Sequence, residues 1–532
     1  MLGKKIKFTK ADTTKMFLAV VFISLVFIPL FKMFINMDAD SMKSVIASPT
    51  FGVAVKNSLV STTIATLITI ILAYVMAMCV ERTNIKFKGI FSIIFVLPML
   101  VPSISNGMGL TILFGNNGLV TKLFHLQGNV YGLWGVVLGS ILYAFPVAYL
   151  MLSDVIRYED GSPYEAAKVL GLSKYRQFMA ITFPYLRKPL ITVIFSTFTL
   201  IITDYGVPLM VGGKYTTIPV VMYQEVIGQL NFGKGSVYGS LLLIPAVIAF
   251  VIDLLNQDKG NSSFVVKKYN PSEGKIKKIF AYIMCGLCSV YTLLPIMSFV
   301  LLSVSADYPN DLRITTNNII KTFNLRAGDY LINSIVIAIL VSIIGAAIAF
   351  MTAYLSARMK SKMSKFLHLS SMTSAAIPGI VLGLSYVLAF KAMPIYGTVI
   401  ILVMVNLVHF ISSPYLMIYN SLSKINENLE AVAQTLAINR VHMLKDVFIP
   451  MCKNTILEMV AYFFVNCMIT ISAVSFLVNT QNKPVALMIN QFEAQMQLES
   501  AAVVSLVILI INLVVKGTFH ILKQSDKKGG TI

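Results

Sequence analysis

Long apolar stretches recur from one end of the chain to the other, and they restrict the fold more than any other feature. Each is about 20 residues long, the length that a helix needs to cross roughly 30 Å of hydrocarbon. Of the 532 residues, 57% are hydrophobic and only 12% are charged, too few to cover the surface of a soluble chain. We therefore predict an all-α polytopic membrane protein with about 12 transmembrane helices, because helices satisfy their backbone hydrogen bonds within lipid. The predicted spans are 16–35, 57–80, 90–114, 131–153, 190–211, 237–256, 279–304, 333–356, 366–390, 395–419, 455–478 and 501–522.

The charged residues indicate how these spans cross the membrane. The chain carries 43 Lys and Arg against 23 Asp and Glu, a formal charge of +20. With a cytoplasmic N-terminus, most of the Lys and Arg fall in cytoplasmic loops, as the positive-inside rule requires. We therefore expect both termini on the cytoplasmic side of a cell membrane, with basic loops near the anionic lipid of the inner leaflet. Topology then explains the basic charge, and we expect no nucleic-acid partner.

The five cysteines give no indication of a metal site. All of them lie in or beside predicted spans, and Cys285 and Cys288 have no second pair to complete a set of ligands. We interpret them as small apolar packing residues and expect no metal in this chain.

The chain repeats itself. The dipeptide Asn-Ser opens a span at Asn57 and again at Asn333, and an aliphatic residue precedes Pro102 and again Pro378, each pair being 276 residues apart. We predict two six-helix repeats in parallel orientation, an arrangement that frames a solute path in transporters. A duplicated scaffold without a path is the alternative. The predicted units are a first half at 1–256, a cytoplasmic linker at 257–278 and a second half at 279–532.

The loop after the fourth span predicts a short cytoplasmic helix. Ser162 is a candidate N-cap, Pro163 suits the first helical position, and Glu165 lies three residues after the cap, which together form a capping box. Gly171 is placed to end the helix. On these residues alone, Glu165 is either a cap and nothing more or part of a docking surface.

The same loop resembles a known family motif. The sequence Glu165, Ala166, Ala167, with Gly171 six positions after the glutamate and Pro184 thirteen after the glycine, is similar to the EAA loop of permease subunits of ABC importers. The resemblance implies the type I ABC importer fold. It also implies that this helix is a coupling helix that seats in a groove of a cytoplasmic ATPase subunit.

The second half carries an altered copy of this loop. Aligned on its leucine and proline, the copy has Ala431 at the glutamate position and Ala437 at the glycine position, with Glu430 one residue early and Ala433 within the helix. The sequence leaves open whether this second coupling helix docks as strongly as the first. The two loops are expected near 154–189 and 420–453.

The resemblance implies that the energy source lies on partners. Two copies of the ATPase would bind ATP and magnesium, and an extracytoplasmic binding protein would deliver the solute. The nearest match to a phosphate-binding loop here, Gly228 to Lys234, is followed by Gly235 where Ser or Thr is needed. We therefore expect no cofactor in this chain and no enzymatic activity of its own.

A few polar residues are predicted inside the membrane. An ionised group such as Asp204 tends to face a water-filled path, although it can instead cap a helix or pair at the interface. His409 is predicted to form a helix–helix hydrogen bond near Asn406 and Ser412. Proline and glycine mark spans three and nine as broken or closely packed. The candidate gate residues there are Pro102, Gly107, Pro378 and Gly379.

The segment from Thr203 to Gln229 narrows the function further. It resembles the fused permeases associated with 2-aminoethylphosphonate and, more loosely, those for ferric iron. We therefore expect a permease subunit for a phosphonate such as 2-aminoethylphosphonate, with ferric iron as the alternative solute. A secondary transporter or channel would explain the duplication but not the EAA loop. An intramembrane enzyme is disfavoured, since the sequence lacks convergent catalytic groups.

Overall fold

The computed structural model describes residues 10–125, 129–256, 267, 269, 271, 274–308 and 311–529. The first-half helices are α1 (Lys10–Phe22), α2 (Ile28–Ile35), α3 (Ala39–Ala47), α4 (Pro49–Arg82), α5 (Lys88–Val96), α6 (Ser103–Phe114), α7 (Leu119–Leu123), α8 (Leu133–Arg157), α9 (Ser162–Val169), α10 (Lys174–Gln177), α11 (Phe183–Ile202), α12 (Gly206–Val211), α13 (Ile218–Tyr223) and α14 (Phe232–Asn256). The second-half helices are α15 (Lys275–Val304), α16 (Asn317–Thr322), α17 (Gly328–Ala357), α18 (Lys362–Thr373), α19 (Gly379–Phe390), α20 (Val399–Phe410), α21 (Ser412–Ser423), α22 (Asn428–Thr435), α23 (Arg440–Met443), α24 (Ile449–Met451), α25 (Lys453–Ile469), α26 (Ala486–Ala494) and α27 (Leu498–Gly529).

Short irregular turns and one hairpin complete the described structure. The π-helical and 3-10 turns are Ile23–Phe27, Leu97–Leu100, Phe178–Thr182, Gln224–Gly228, Phe323–Ala327, Ser374–Ala376 and Leu444–Phe448. Strands β1 (Ser305–Asp307) and β2 (Asp311–Ile314) pair antiparallel after α15, with Ser305 opposite Ile314.

The number of membrane spans agrees with the sequence prediction. Within the described residues, 8 helices are long and apolar enough to cross a membrane, and 4 bent helix pairs bring the total to 12. Their order along the chain matches the predicted order of the spans. The fold is therefore an all-α polytopic membrane protein made of two six-span halves.

The third and ninth spans break at their prolines. In the third span the helix axis turns by 101° and in the ninth by 111°. Val101 and Ile377, the residues before the prolines, are extended, with φ −115° and φ −107°. Proline causes this because it lacks an amide donor and its ring disfavours helical backbone in the residue before it.

The fifth and eleventh spans end earlier than predicted. We expected helix through residue 211 and through residue 478, but α11 ends at Ile202 and α25 ends at Ile469. After α11 the carboxylate of Asp204 binds the backbone N–H of Val207 and starts a new short helix, α12. A short polar side chain competes in this way with the continuing helix, and mean hydropathy alone does not detect it.

Corresponding residues of the two halves make corresponding contacts. The Ser58 hydroxyl accepts a hydrogen bond from the backbone N–H of Ile218 at 2.8 Å, and the Ser334 hydroxyl accepts one from that of Val485 at 2.7 Å. Since Ser58 and Ser334 are 276 residues apart, the repeat seen in the sequence is a repeat of geometry.

Each half nevertheless gives its first span to the other half. The first span, α1 and α2, packs against α18 and α19, and α15 packs against α4, α5 and α6. Tyr386 of α19 donates a hydrogen bond to the carbonyl of Leu25 at 2.9 Å, and Tyr291 of α15 donates one to that of Leu138 at 2.7 Å. One apolar core consequently extends through residues of both halves.

The predicted linker at 257–278 lies mostly outside the described residues. Within it the structure describes Lys267, Tyr269, Pro271 and residues 274–278. The last four of these are not linker, because α15 begins at Lys275.

Candidate functional site

A cavity of about 270 Å³ lies between the two halves. Its walls come from α8, α11 and α14 on one side and from the breaks beside α19, α20 and α25 on the other. Polar side chains line much of it although it is deep in the bundle. Those that carry the chemistry are Tyr143, Thr199, Asp204, Asp253, His409 and Ser472.

Asp204 has two roles in this cavity. Its Oδ2 accepts a hydrogen bond from the backbone N–H of Val207 at 2.9 Å, so it caps the short helix α12. The side chain also lines the cavity and is only half-buried. The carboxylate therefore caps a helix and also lines the cavity, and its place in a solute path stays a prediction.

His409 faces the cavity from the second half. The sequence predicted a helix–helix hydrogen bond for His409, which lies beside Asn406 and Ser412. In the structure Asn406 donates to the carbonyl of Leu402 at 2.8 Å and Ser412 to that of Met372 at 3.5 Å. Among the described residues, the Nδ1 atom of His409 is buried without a hydrogen-bond partner. The ring thus forms part of the cavity wall, and the hydrogen-bonding capacity of its Nδ1 atom is not used by the described residues.

The four candidate gate residues do not come together. Pro378 and Gly379 line the cavity, and a Cβ at Gly379 would collide with the Ser472 hydroxyl and lie 3.0 Å from Nε2 of His409. Pro102 lies at the break of the third span. Gly107 instead brings α6 against α12, because a Cβ there would be 2.9 Å from Cβ of Met210.

A stack of three aromatic rings begins at Tyr205, the residue that follows the cavity-lining Asp204. The rings of Tyr205 and Tyr223 lie 4.9 Å apart and nearly parallel, and Phe476 of the second half stacks on Tyr223 at 6.2 Å. The Tyr205 hydroxyl is 2.6 Å from that of Ser475, and Asn490 donates to the Tyr223 hydroxyl at 3.2 Å. We call Tyr205, Tyr223 and Phe476 the ring stack. Sequence reasoning used the two tyrosines only as a family marker and missed this contact.

The opposite side of the cavity leads toward the EAA loops. Asp253 lies in the last turns of α14 and also lines a neighbouring pocket with Lys188 and Asn256. Lys188 lies at the end of the first EAA loop. The polar space thus runs from Asp204 toward the end of the molecule that carries the loops.

The first EAA loop forms the predicted short helix but starts it differently. The predicted capping box is wrong: Asp160 accepts hydrogen bonds from the Ser162 backbone N–H at 3.0 Å and from its hydroxyl at 2.8 Å. The backbone N–H of Ser162 holds the pKa of the Asp160 carboxyl below its usual range. An ionised carboxylate is the stronger acceptor, so it displaces the serine from the capping role. Glu165 instead pairs with Lys267, Nζ to Oε1 at 2.9 Å.

Both loops end their helix in the same way. Gly171 has φ +67°, and the N–H of the next residue, Leu172, binds the carbonyl of Ala167 at 2.9 Å. In the second loop Ala437 has φ +52°, and the N–H of Ile438 binds the carbonyl of Ala433 at 2.8 Å. This is the Schellman ending that favours glycine, so the alignment of Ala437 with Gly171 is geometrically correct.

The helices of the two loops expose equivalent faces. Ala167 and Ala433 are buried against their own half, whereas Leu170 is 75% exposed and Leu436 is 65% exposed. Ala166 and Ala431 are also exposed. Glu430 turns away from this face and pairs with Arg358.

Two six-span halves, a polar cavity between them and a capped helical loop at the same end of each half define a membrane transport permease. The family described as binding-protein-dependent transport system inner membrane component matches residues 69–257 and 345–525, one match in each half. The chain belongs to this family. Its fold is therefore that of a type I ABC importer permease, with both halves in one polypeptide of the bacterial inner membrane.

The similar proteins are transport permeases. The ferric transport system permease protein FbpB of Actinobacillus pleuropneumoniae is 25% identical over 448 residues, which cover 81% of this chain and 65% of that protein. A putative ferric transport system permease protein FbpB 1 of Haemophilus influenzae is 24% identical, with 81% and 71% covered. The thiamine transport system permease protein ThiP of Brucella abortus is 24% identical over 41% of this chain and 42% of its own length.

One solved structure shares part of the architecture. A chain of a bacterial alginate ABC transporter, in complex with a periplasmic protein that holds an alginate pentasaccharide, matches 48% of this chain and 96% of its own length. The sequence identity is 15% and the TM-score is 0.37.

Proposed function

We propose that this chain is the membrane subunit of an ATP-driven importer and that α9 and α22 each seat on one copy of a cytoplasmic ATPase. The observation that carries the proposal is the pair of exposed leucines, Leu170 and Leu436, at equivalent positions of the two loops. Apolar side chains left in water at a repeated site are typical of a surface that a partner covers. ATP and magnesium would then be bound by the two partners.

The loop end of the molecule would face the cytoplasm. Basic residues concentrate beside both loops, with Lys168, Lys174 and Arg176 near the first and Arg440 and Lys445 near the second. Basic flanks of spans are retained on the cytoplasmic side, which supports cytoplasmic termini. The ring stack would then face the extracytoplasmic side, where a solute-binding protein would deliver its cargo.

The solute would be small and would carry a positive group. Two acids, Asp204 and Asp253, line the cavity together with hydroxyl groups, and its volume of about 270 Å³ suits a small solute. A carboxylate at that depth would pair with an ammonium group. The first candidate is a phosphonate such as 2-aminoethylphosphonate, which carries one, and whose permeases the segment from Thr203 to Gln229 resembles.

Ferric iron is the second candidate. The named ferric permeases align with 81% of this chain. Carboxylate, phenol and imidazole side chains also line the cavity, at Asp204, Tyr143 and His409. Hard oxygen donors of this kind suit a highly charged cation in transit.

A reconstituted complex tests both parts of the proposal. The chain would be co-expressed with the ATPase and binding-protein genes of its own genome and placed in proteoliposomes. Binding protein loaded with 2-aminoethylphosphonate should stimulate ATP turnover and solute uptake, while ferric iron should do so if the second candidate is correct. An ATPase that binds the chain but responds to neither compound would reject both solutes and leave the importer class standing. Failure of any ATPase to bind would reject the class.

A further inference from the structure

The second span of each half contains a long, uninterrupted helix that joins the loop end of the molecule to the end with the ring stack. In the first half α4 runs unbroken from Pro49 to Arg82, and in the second α17 runs from Gly328 to Ala357. From Ser58 to Arg82, and from Ser334 to Arg358, the rise of a helix gives about 36 Å. Ser334 and Arg358 each lie 276 positions after Ser58 and Arg82, so the residues at both ends of the helix belong to the internal repeat.

At the loop end, one arginine ties each helix to the EAA loop of its own half. Arg82 is buried, forms an ion pair with Glu159 just before α9, and lies 3.7 Å from the ring centroid of Tyr269. Arg358, whose side chain is 3% exposed, pairs with Glu430 within α22 and donates to the carbonyl of Ile425 at 2.6 Å. A buried guanidinium held by several partners fixes the geometry of the groups around it.

At the far end, an Asn-Ser pair ties the same helix to the segment beyond the broken span. In the first half Asn57 donates to the carbonyl of Thr216 at 3.0 Å, and Ser58 accepts from the N–H of Ile218, the first residue of α13. In the second half Asn333 donates to the carbonyl of Gln481 at 2.8 Å.

The second-half contact is completed by Ser334. Its hydroxyl accepts from the N–H of Val485, the residue directly before α26. Each serine thus supplies, from another helix, the cap for a short helix at the ring stack. The two short helices meet where Asn490 of α26 hydrogen-bonds the hydroxyl of Tyr223 of α13.

We propose that α4 and α17 are rigid rods that carry the displacement of the EAA loops to the ring stack. Movement of α9 would enter α4 through Arg82 and reach Tyr223 through Ser58 and α13. Movement of α22 would enter α17 through Arg358 and reach Asn490 through Ser334 and α26. This mechanism rests on the proposed function, because only a docked ATPase would displace the loops.

The alternative route from loop to ring stack is less stiff. The fifth span connects the first loop directly to Tyr205, but it contains the π-helical turn Phe178–Thr182, and Pro189 lies inside its helix. Proline removes a backbone hydrogen bond and allows a helix to bend. In the second half the corresponding pair of helices is bent by 77°. The rods lack such breaks.

The second half offers matched variants at both ends of its rod. Ser334→Ala removes the bond to Val485 at the far end. Its control is Ser342→Ala, because Ser342 is a buried serine of α17 whose hydroxyl donates within its own helix, to the carbonyl of Ala338 at 2.6 Å. Glu430→Gln weakens the loop contact, and its control is Glu427→Gln, whose side chain is 77% exposed beside Lys360. An exposed pair of that kind contributes little.

The measurements are uptake and stimulated ATP turnover in the complete transporter. Each rod variant should lower uptake roughly tenfold, the ratio that corresponds to one lost buried hydrogen bond, while the ATPase still co-purifies and still hydrolyses ATP. The double variant Ser334→Ala with Glu430→Gln should also lower uptake roughly tenfold in total, because either substitution alone disconnects the same rod. If the two sites acted independently, the fold-losses of uptake in the single variants would instead multiply in the double variant.

Three results would contradict the proposed role of the rods. The first is a double variant whose fold-loss of uptake is the product of the two single losses, and the second is equal uptake by Ser334→Ala and Ser342→Ala. The third is a Ser334→Thr variant that does not restore uptake although it keeps the hydroxyl. Absence of any ATPase bound to the wild-type chain would be a different failure, that of the proposed function itself.

Discussion

The hydroxyl of Tyr205, in the first half, lies 2.6 Å from the hydroxyl of Ser475, in the second half. Both groups are buried and the residues are 270 positions apart, so this bond joins the halves where they meet. It holds the ring of Tyr205 against Tyr223, directly beside the carboxylate of Asp204. The polar space that Asp204 lines extends from here toward the EAA loops.

Removing the ring of Tyr205 should make the cavity easier to reach from the side of the ring stack. In Tyr205→Ala the stack loses one of its two end rings and the hydrogen bond to Ser475. A membrane-impermeant thiol reagent added outside should then react with a cysteine introduced at Ser472, which lines the cavity. Tyr205→Phe keeps the ring and should react more slowly than Tyr205→Ala. Equal reaction of Ser472→Cys with and without the ring would show that the stack is not the barrier.

Uptake should depend on the negative charge of Asp204 more than on its capping of α12. Asp204→Asn keeps an oxygen that can accept from the backbone N–H of Val207, so the fold of α12 should be retained. Without the charge, an ammonium group or a metal cation loses its partner, and uptake should fall roughly tenfold or more. The comparison is Asp38→Asn, an acid outside the cavity that caps α3. Unchanged uptake rate and selectivity would remove Asp204 from the path.

The two loop endings predict opposite effects of glycine and alanine. Ala437 has φ +52°, a conformation that costs an L-residue roughly 1–2 kcal/mol and costs glycine little. Ala437→Gly should therefore raise the free energy of unfolding by about 1 kcal/mol, and Gly171→Ala should lower it by a similar amount. Denaturant titration in detergent measures both. A shift of the same sign in the two variants would be inconsistent with the shared Schellman ending.

Acid should loosen the start of α9. The backbone N–H of Ser162 lowers the pKa of Asp160. This hydrogen bond therefore stabilises the folded loop fully at a pH above about 4, the pKa of an Asp side chain in the unfolded chain. It is lost as the pH falls through the still lower folded-state pKa. Limited proteolysis of the loop between about pH 5 and pH 3 should accelerate in the wild type. In Asp160→Asn, which cannot ionise, the rate should show no such step, apart from the protease's own pH dependence.

The number of spans, the duplication and the positions of both loops could be predicted from the sequence, because they depend on local sequence patterns. The aligned serines Ser58 and Ser334 marked the repeat, but their partners, Ile218 and Val485, are far away in sequence and have no periodic signal. The packing of each first span against the other half also could not be predicted, because the sequence of an apolar helix does not indicate which half it packs against. The polar neighbours of His409 in sequence gave no guide to its surroundings for a related reason: Asn406 donates its hydrogen bond within its own helix.

The altered second loop shows where alignment helps and where contacts are needed. Alignment placed Ala437 opposite Gly171, and the backbone agrees. It treated Glu430 as a displaced docking residue, whereas the side chain pairs with Arg358. In the first loop the equivalent arginine uses Glu159, which precedes the helix, and Glu165 is left on the surface. The acid that anchors the loop has thus changed position while the anchoring arginine has not.

Cross-linking from the loop helices tests most directly that they seat an ATPase. All five native cysteines are buried, so a cysteine introduced at Leu170 or Leu436 would be the reactive one. Both should form a disulfide or a short cross-link with the co-purified ATPase, whereas Leu230→Cys, 71% exposed at the other end of the bundle, should not. Cross-links from Leu230 but from neither loop would contradict the account.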